Sequence, residues 1–446
     1  MTVQHMTMQR RTFLSLLAVP AIAQLLQSCG DDTSGSTTPS RPAQSGERSS
    51  LTGAAAHLGA SSADALAASA AINAFSADLY EQLVAADPTA NLVFSPASIA
   101  LALAMTSAGA KGTTLAEMDT VLHITDPATI HHSFNGLSTA LAALNKSVDN
   151  TTGGGVGTSE VQLAIANSLW AQSGLAFQQA FLDLLSSEYD AGLELVDYRS
   201  DPEAARTEIN GWVNDQTNER IPQLLSEGTI TTDSRLTLVN AIYLQANWGD
   251  TFDVDATVDE PFAAPMGEVT VSMMHKSADL GYASGDGWQA VELPYAFRQL
   301  SFVVAVGDDA NSAVPTADEV FAALNNKQVD LGLPRFDIET STSLATLLGA
   351  MGMATAFSDA ADFSGMTADE KLMIGNVIHQ ANITVDEEGT EAAAATAVVM
   401  AATAMPVEDV PVVLTIDRPF TFWLRDVAGS TVLFAGRVND PSATRA

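Results

Sequence analysis

Residues 385–406 read VDEEGTEAAAATAVVMAATAMP. No proline interrupts it between Gly389 and Pro406, and Glu391 is its only charge past the glycine. A segment that joins the middle of a sheet cannot hold proline, because every interior N–H is needed for the ladder. Side chains alternate between faces along a strand. One face here carries Thr390, Ala392, Ala394, Thr396, Val398, Met400 and Ala402; the other carries Glu391, Ala393, Ala395, Ala397 and Val399. The small residues near Gly389 would let the segment slip between two existing strands, and Gly389 itself reads as a pivot. Alanine is also the best helix former, so the same run in isolation favours a helix. The paired β-branched Val398-Val399 and the threonines weaken that alternative without removing it.

The segments around this stretch describe its host. Residues 236–245 (LTLVNAIYLQ) are apolar on both alternating faces, which marks a strand covered on both sides. Asn240 in its middle is a buried polar group that must find partners. Further strand-like runs occupy 300–306, 412–416, 419–425 and 431–437. Towards the N-terminus, Ile72, Phe75, Leu79 and Leu83 recur at helical spacing, and Pro88 closes that helix. Leu92-Val93-Phe94 reads as a short strand, followed by Ser95 as a cap and Pro96 at the first helical position. Residues 97–108 are small and apolar enough for a helix buried all round. Thr114 and Glu117 have capping-box spacing for another helix, and Ile209, Trp212 and Val213 share a helical face. Helices come first and strands cluster later, without a βαβ rhythm, so the class is α+β with mixed sheets.

Composition excludes several functions. The 446 residues carry a formal net charge of −34, with no Lys/Arg cluster to serve as a nucleic-acid footprint. The single cysteine, Cys29, rules out an internal disulfide and a cysteine-cluster zinc site. The glycine-rich run 149–159 lacks the Lys-Ser/Thr of a phosphate loop and reads as a surface loop. His131-His132 lacks the His-Glu-x-x-His pattern and reads as an exposed loop pair, so neither a metal nor a cofactor is expected.

The first residues read as an address. Arg10-Arg11-Thr12-Phe13-Leu14 leads an apolar run that ends at Leu26, too short for a permanent span. The paired arginines resemble a twin-arginine export signal, and Leu26-Gln27-Ser28-Cys29 resembles a bacterial lipoprotein cleavage site. Residues 1–28 are thus expected to leave, taking the charge from −34 to −36, with Cys29 lipidated. Residues 29–65 are expected to form a flexible tether. The protein is accordingly placed outside the cytoplasm: membrane-anchored at the cell surface or in the periplasm, or extracellular. It would touch a membrane through the lipid only.

Four ordered stretches resemble the serpin family. They are Asn91-Leu92-Val93-Phe94-Ser95-Pro96-Ala97-Ser98; Leu238-Val239-Asn240-Ala241-Ile242-Tyr243 with Trp248; Val377-Ile378-His379 through Val385 to Ala393; and Arg418-Pro419-Phe420 with Phe434-Ala435-Gly436-Arg437-Val438 and Asp440-Pro441. Ile209-Asn210-Gly211-Trp212-Val213 and Glu292-Leu293-Pro294-Tyr295 fit between them, so the resemblance spans residues 66–441, ahead of a tail at 442–446.

The resemblance implies three β-sheets, eight or nine helices and an exposed reactive-centre loop at 387–411. It implies a suicide inhibitor of serine or cysteine endopeptidases, acting as a monomer and without catalytic residues of its own. The alternative within the family is a non-inhibitory binding protein or chaperone. The hinge would comprise Glu387, Glu388, Gly389, Thr390, Glu391 and Ala392. Counting on from Gly389 places the reactive bond at Thr403-Ala404, which suits an elastase- or subtilisin-like enzyme with a small pocket. Ser95, Ser98, Asn240 and His379 match a polar network where the sheet opens, and Trp248 matches the region where the loop enters.

Overall fold

The computed structural model describes residues 48–149, 158–309, 314–390 and 410–443. The export signal, Cys29, the reactive bond Thr403-Ala404, the hinge residues Glu391 and Ala392 and the end of the tail lie outside these residues.

The main sheet is assembled across the whole chain. Its order is β1 (Ser49–Leu51), β5 (Leu193–Val196), β4 (Thr158–Gln172), β6 (Leu236–Asn247), β14 (Gly389–Thr390), β13 (Asn376–Val385) and β12 (Phe336–Ser343), with β3 (Lys146–Asp149) paired to one end of β4. The burial of β6 follows from its composition: from Leu236 to Leu244 every residue is buried. One face meets the body, and the other lies under a second cluster that includes Ile209 and Val213.

A second hydrogen-bonded network runs β15 (Val412–Thr415), β11 (Asn325–Pro334), β8 (Gly267–Gly285), β9 (Trp288–Pro294), β10 (Leu300–Gly307), β16 (Phe420–Asp426), β17 (Val432–Val438) and β2 (Leu92–Phe94), with β7 (Val258–Ala264) also on β8. The second and third sheets of the expected fold are thus continuous through β8. That strand pairs with β7 at its start, with β11 along its middle and with β9 only over Gly281–Gly285.

Eight α-helices are present among the described residues: α1 (Leu66–Ala86), α2 (Pro96–Ser107), α3 (Gly112–Val121), α4 (Ile130–Ala142), α5 (Gln179–Tyr189), α6 (Pro202–Gln216), α7 (Ala317–Ala323) and α8 (Ala345–Leu348). None is long and apolar enough to cross a membrane. The start of α2 is as its sequence dictates: Ser95 Oγ accepts from Ser98 N–H at 3.2 Å, and Pro96 sits at the first position, where a missing N–H costs nothing.

Three expectations need correction. Helix α3 begins at Gly112, so Thr114 lies inside it; Glu117 accepts from Thr355 N–H and hydroxyl instead, at 2.8 and 2.7 Å. His131 and His132 are half-buried in the first turn of α4, where Nδ1 of His131 meets Tyr189 Oη at 2.6 Å and Nδ1 of His132 meets Glu188 at 3.2 Å. Finally, the expected tether 29–65 is part of the fold from residue 48 onward. Ser49–Leu51 pair antiparallel with β5, and Arg48 reaches Asp215 at 3.7 Å. Gly53 N–H donates to Ser186 Oγ at 2.7 Å, and the N–H groups of Ala54 and Ala55 donate to Asp183 at 2.7 and 3.2 Å. Backbone donors hold this strap, so its polar composition does not announce it.

Candidate functional site

Strands β6 and β13 are neighbours with two different halves. Asn376–Gln380 pair in parallel with Thr237–Ala241 and close the seam there. At the other end the two strands part around β14: Gly389 pairs with Asn247 and Thr390 with Ala246, while Val385 also pairs with Thr390. The chain therefore turns after Val385 and sends its next two strand residues back into the seam. The loop at 387–411 was expected to be exposed; two of its residues, Gly389 and Thr390, lie inside the sheet.

Gly389 is required by contact distance here. A Cβ on it would lie 2.1 Å from the carbonyl oxygen of Ala246, which leaves no room for any side chain. The glycine thus permits a close approach between backbones.

Aromatic groups and a charge pair fix this end of the seam. Trp248 stacks on Tyr295 with centroids 4.6 Å apart, and its Nε1–H donates to the carbonyl of Asp386 at 2.8 Å. The N–H of Trp248 donates to Glu388 O, and that of Phe252 to Glu387 O, at 2.8 and 2.9 Å. Tyr295 Oη and Thr390 Oγ1 are 2.5 Å apart, and burial drives the tyrosine pKa upward, so its proton stays in place. The Glu387 side chain is only 3% exposed. Burial opposes its charge, but hydrogen bonds from Arg335 and Thr257 outweigh that, and its carboxyl is held below the ordinary range. Asp386 goes the other way: burial raises it, against N–H groups of Glu388 and Gly389 that stabilise its anion.

At the closed half, Ser95, Ser98, Asn240 and His379 come together as expected, each fully buried. Ser95 N–H donates to Nε2 of His379 at 3.0 Å, so Nδ1 carries the proton and donates to Asn240 Oδ1 at 2.5 Å. Asn240 Nδ2 donates to Ser98 Oγ at 2.5 Å and to Asn167 Oδ1 at 2.6 Å. Both ring nitrogens are engaged by neutral partners, and burial holds the imidazole pKa at about 3. This arrangement does not build a serine–histidine relay. Ser95 Oγ donates to the carbonyl of Leu433 at 2.6 Å, and the nitrogen that would act as base is occupied by a backbone N–H. No group of acidic, histidine or cysteine side chains suited to a metal occurs among the described residues.

The sequence reading missed Asn167, Tyr295, Thr257 and Arg335. Asn167 carried a usable signal: like Asn240, it interrupts an apolar strand, facing it across the β4–β6 pair.

The main sheet is thus split at one end, where Gly389–Thr390 enter between β6 and β13, and closed at the other over a buried neutral network. The family model for Serpin (serine protease inhibitor) matches residues 70–441. Bovine leukocyte elastase inhibitor is 36% identical over 391 residues, covering 84% of this chain and 99% of the relative. A serpin-like protein of Thermococcus kodakarensis is 36% identical over 378 residues, covering 83% and 85%. The crystal structure of uncleaved ovalbumin superposes with a TM-score of 0.73 at 26% identity, covering 84% of this chain and all of that one. The chain belongs to the serpin family.

Proposed function

We propose that this protein is an exported suicide inhibitor of serine or cysteine endopeptidases, with elastase- or subtilisin-like enzymes as targets and Thr403-Ala404 as the reactive bond. The observation that carries the reading is the half-open seam: β14 already occupies the first two places of a strand site between β6 and β13. In the reaction, the nucleophile of the protease attacks the carbonyl carbon of Thr403 and the bond to Ala404 breaks. The new amine leaves with residues 404–446, and Thr403 stays on the enzyme as an ester or thioester. The freed loop then continues into the seam from Thr390, separating Ala381–Thr384 from β6 and displacing the closed pairing below.

Each new strand hydrogen bond is worth ~1 kcal/mol net, so a fully paired insert gains on the order of 10 kcal/mol. That is comparable with the stability of a whole protease domain, so the trapped enzyme can be distorted before water reaches the acyl bond. In the same reading, Cys29 is lipidated and anchors a monomeric inhibitor outside the cytoplasm. Incubation with an elastase-type protease should give a complex that survives SDS and release a peptide whose first residue is Ala404. Clean cleavage without a complex would remove the inhibitor reading.

A second reading has one observation in its favour. A cavity of about 880 Å³ opens between α1, α7 and β16–β17, lined by Tyr80, Trp423, Phe420 and Arg437. It suits a small ligand of mixed polarity and would make the protein a non-inhibitory carrier. Loop cleavage without a gain in melting temperature would favour this reading.

A further inference from the structure

The strand register locates two events that the sequence keeps far apart. Ser49 pairs with Leu195, Leu195 with Ala171, and Ala171 with Leu236, so the place where the N-terminal segment joins the sheet is level with the start of β6. Thr390 pairs with Ala246, ten residues along the same strand, or roughly 33 Å away at ~3.3 Å per residue. Residue 48 therefore meets the fold at the pole opposite the loop. The strap cannot swing away from that pole, because Arg48 reaches Asp215 and the backbone from Gly53 to Ala55 is bonded to α5.

Continuing the β14–β6 pairing one residue for one sets residue 400 opposite Leu236, level with Ser49. Thr403 falls three residues further on, roughly 10 Å beyond that level. Across the sheet, the inserted strand and β1 are separated by β6, β4 and β5, which is four strand spacings of ~4.8 Å, or roughly 19 Å. The acylated residue would finish within about 25 Å of Ser49 on these spacings. A protease of about 220 residues has a radius of gyration near 17 Å, and so a diameter of roughly 45 Å. Seated on that carbonyl in line with the inserted strand, it would reach across the pole at which residue 48 meets the fold.

We infer that the N-terminal connection and the trapped protease share one pole, so that in a molecule held through Cys29 the length of chain between Cys29 and Arg48 decides whether trapping can finish. The inference rests on the loop-insertion reading above. Nineteen residue steps separate Cys29 from Arg48, which reach at most about 65 Å, more than the enzyme's diameter. Removing residues 33–42 leaves nine steps and a reach of about 30 Å, less than that diameter. Insertion then lags behind hydrolysis of the acyl bond, and the inhibitor is consumed as a substrate.

The test uses the full chain and its only cysteine. Native and shortened chains are coupled through Cys29 to a maleimide-bearing glass surface, or left free with the thiol blocked, and titrated with an elastase-type protease. The expected result is a severalfold rise in inhibitor consumed per enzyme trapped for the held, shortened chain alone, restored when the removed length is replaced by a Gly/Ser run. Equal trapping by held native and held shortened chains would overturn the inference. So would an equal loss in the held and free shortened chains, which would trace the effect to the fold. Absence of an SDS-stable complex in every arm, the free native chain included, would instead sink the inhibitor reading itself.

Discussion

Strands β6 and β13 pair directly in one half and are parted by β14 in the other, and the two halves are held by different physics. In the closed half, Thr237–Ala241 face Asn376–Gln380, and the groups behind them are neutral: a backbone N–H, an imidazole, two side-chain amides and a hydroxyl in one chain of hydrogen bonds. In the split half, a stacked tryptophan and tyrosine and the buried carboxylate of Glu387 hold the incoming chain. Neutral bonds between side chains can be exchanged for others at little net change. A desolvated charge cannot lose its partner so cheaply. Under the proposed insertion, the half that would give way is built from the first kind, and the half that would keep its place is built from the second.

This contrast can be broken at several points. The largest effect is expected from cutting the loop. Full insertion would erase the difference between the halves, adding on the order of 10 kcal/mol of stability and raising the melting temperature by roughly 10–15 °C. A thermal melt before and after nicking near residue 403 reads this directly, and an unmoved transition would mean that the seam does not accept the loop.

Next comes His379→Ala. It leaves Ser95 N–H and Asn240 Oδ1 without partners, at a cost of about 2–3 kcal/mol. The loss falls on the closed half, so spontaneous conversion to an inactive, more stable form should quicken, as followed by residual inhibitory activity over time at constant temperature. An unchanged rate would detach the network from seam opening.

Removing the charge pair at the split end has a smaller effect. Arg335 is 43% exposed, so Arg335→Met should cost about 1–2 kcal/mol once solvent screening is allowed for. The loss should appear in denaturant midpoints at neutral pH and shrink in acid, where Glu387 protonates in any case.

The smallest expected effect, about 1 kcal/mol between pH 6.5 and 5.5, is the onset of the pH dependence that separates the halves. The His379 pKa lies near 3 in the folded protein and near the ordinary 6.5 when unfolded, so the unfolded chain binds more protons between those values. Its contribution is complete above pH 6.5 and is lost as the pH falls towards 3, at about 1 kcal/mol over the first unit. Glu387 is depressed from 4.5, so its contribution begins to fade only in more acidic solution. A stability profile flat from pH 7 to 5 would contradict the buried neutral imidazole.

Much of this was legible in the sequence, for identifiable reasons. The proline-free run after Gly389, with Glu391 its only charge, and the polar Asn240 within an apolar strand are violations of local expectation, and such violations stand out in one dimension. Arg335 and Thr257 were invisible because an arginine after Pro334 and a threonine ahead of β7 violate nothing; their meaning comes from Glu387, 52 and 130 residues away. The strap at 48–58 was misread for a related reason. Its attachment uses backbone N–H groups, which every residue but proline possesses, so its composition resembles that of an unattached chain.

The bare contact between Gly389 and the carbonyl of Ala246 has a consequence for how such a molecule can diversify. In the proposed reaction the residues around 403 are read by the enzyme to be caught, and they can change with each adversary. The glycine faces a fixed wall of its own sheet, and any replacement there meets that wall whatever the quarry. Choice of prey and the start of closure are thereby under separate selection, and a lineage can retarget the trap without resetting its spring.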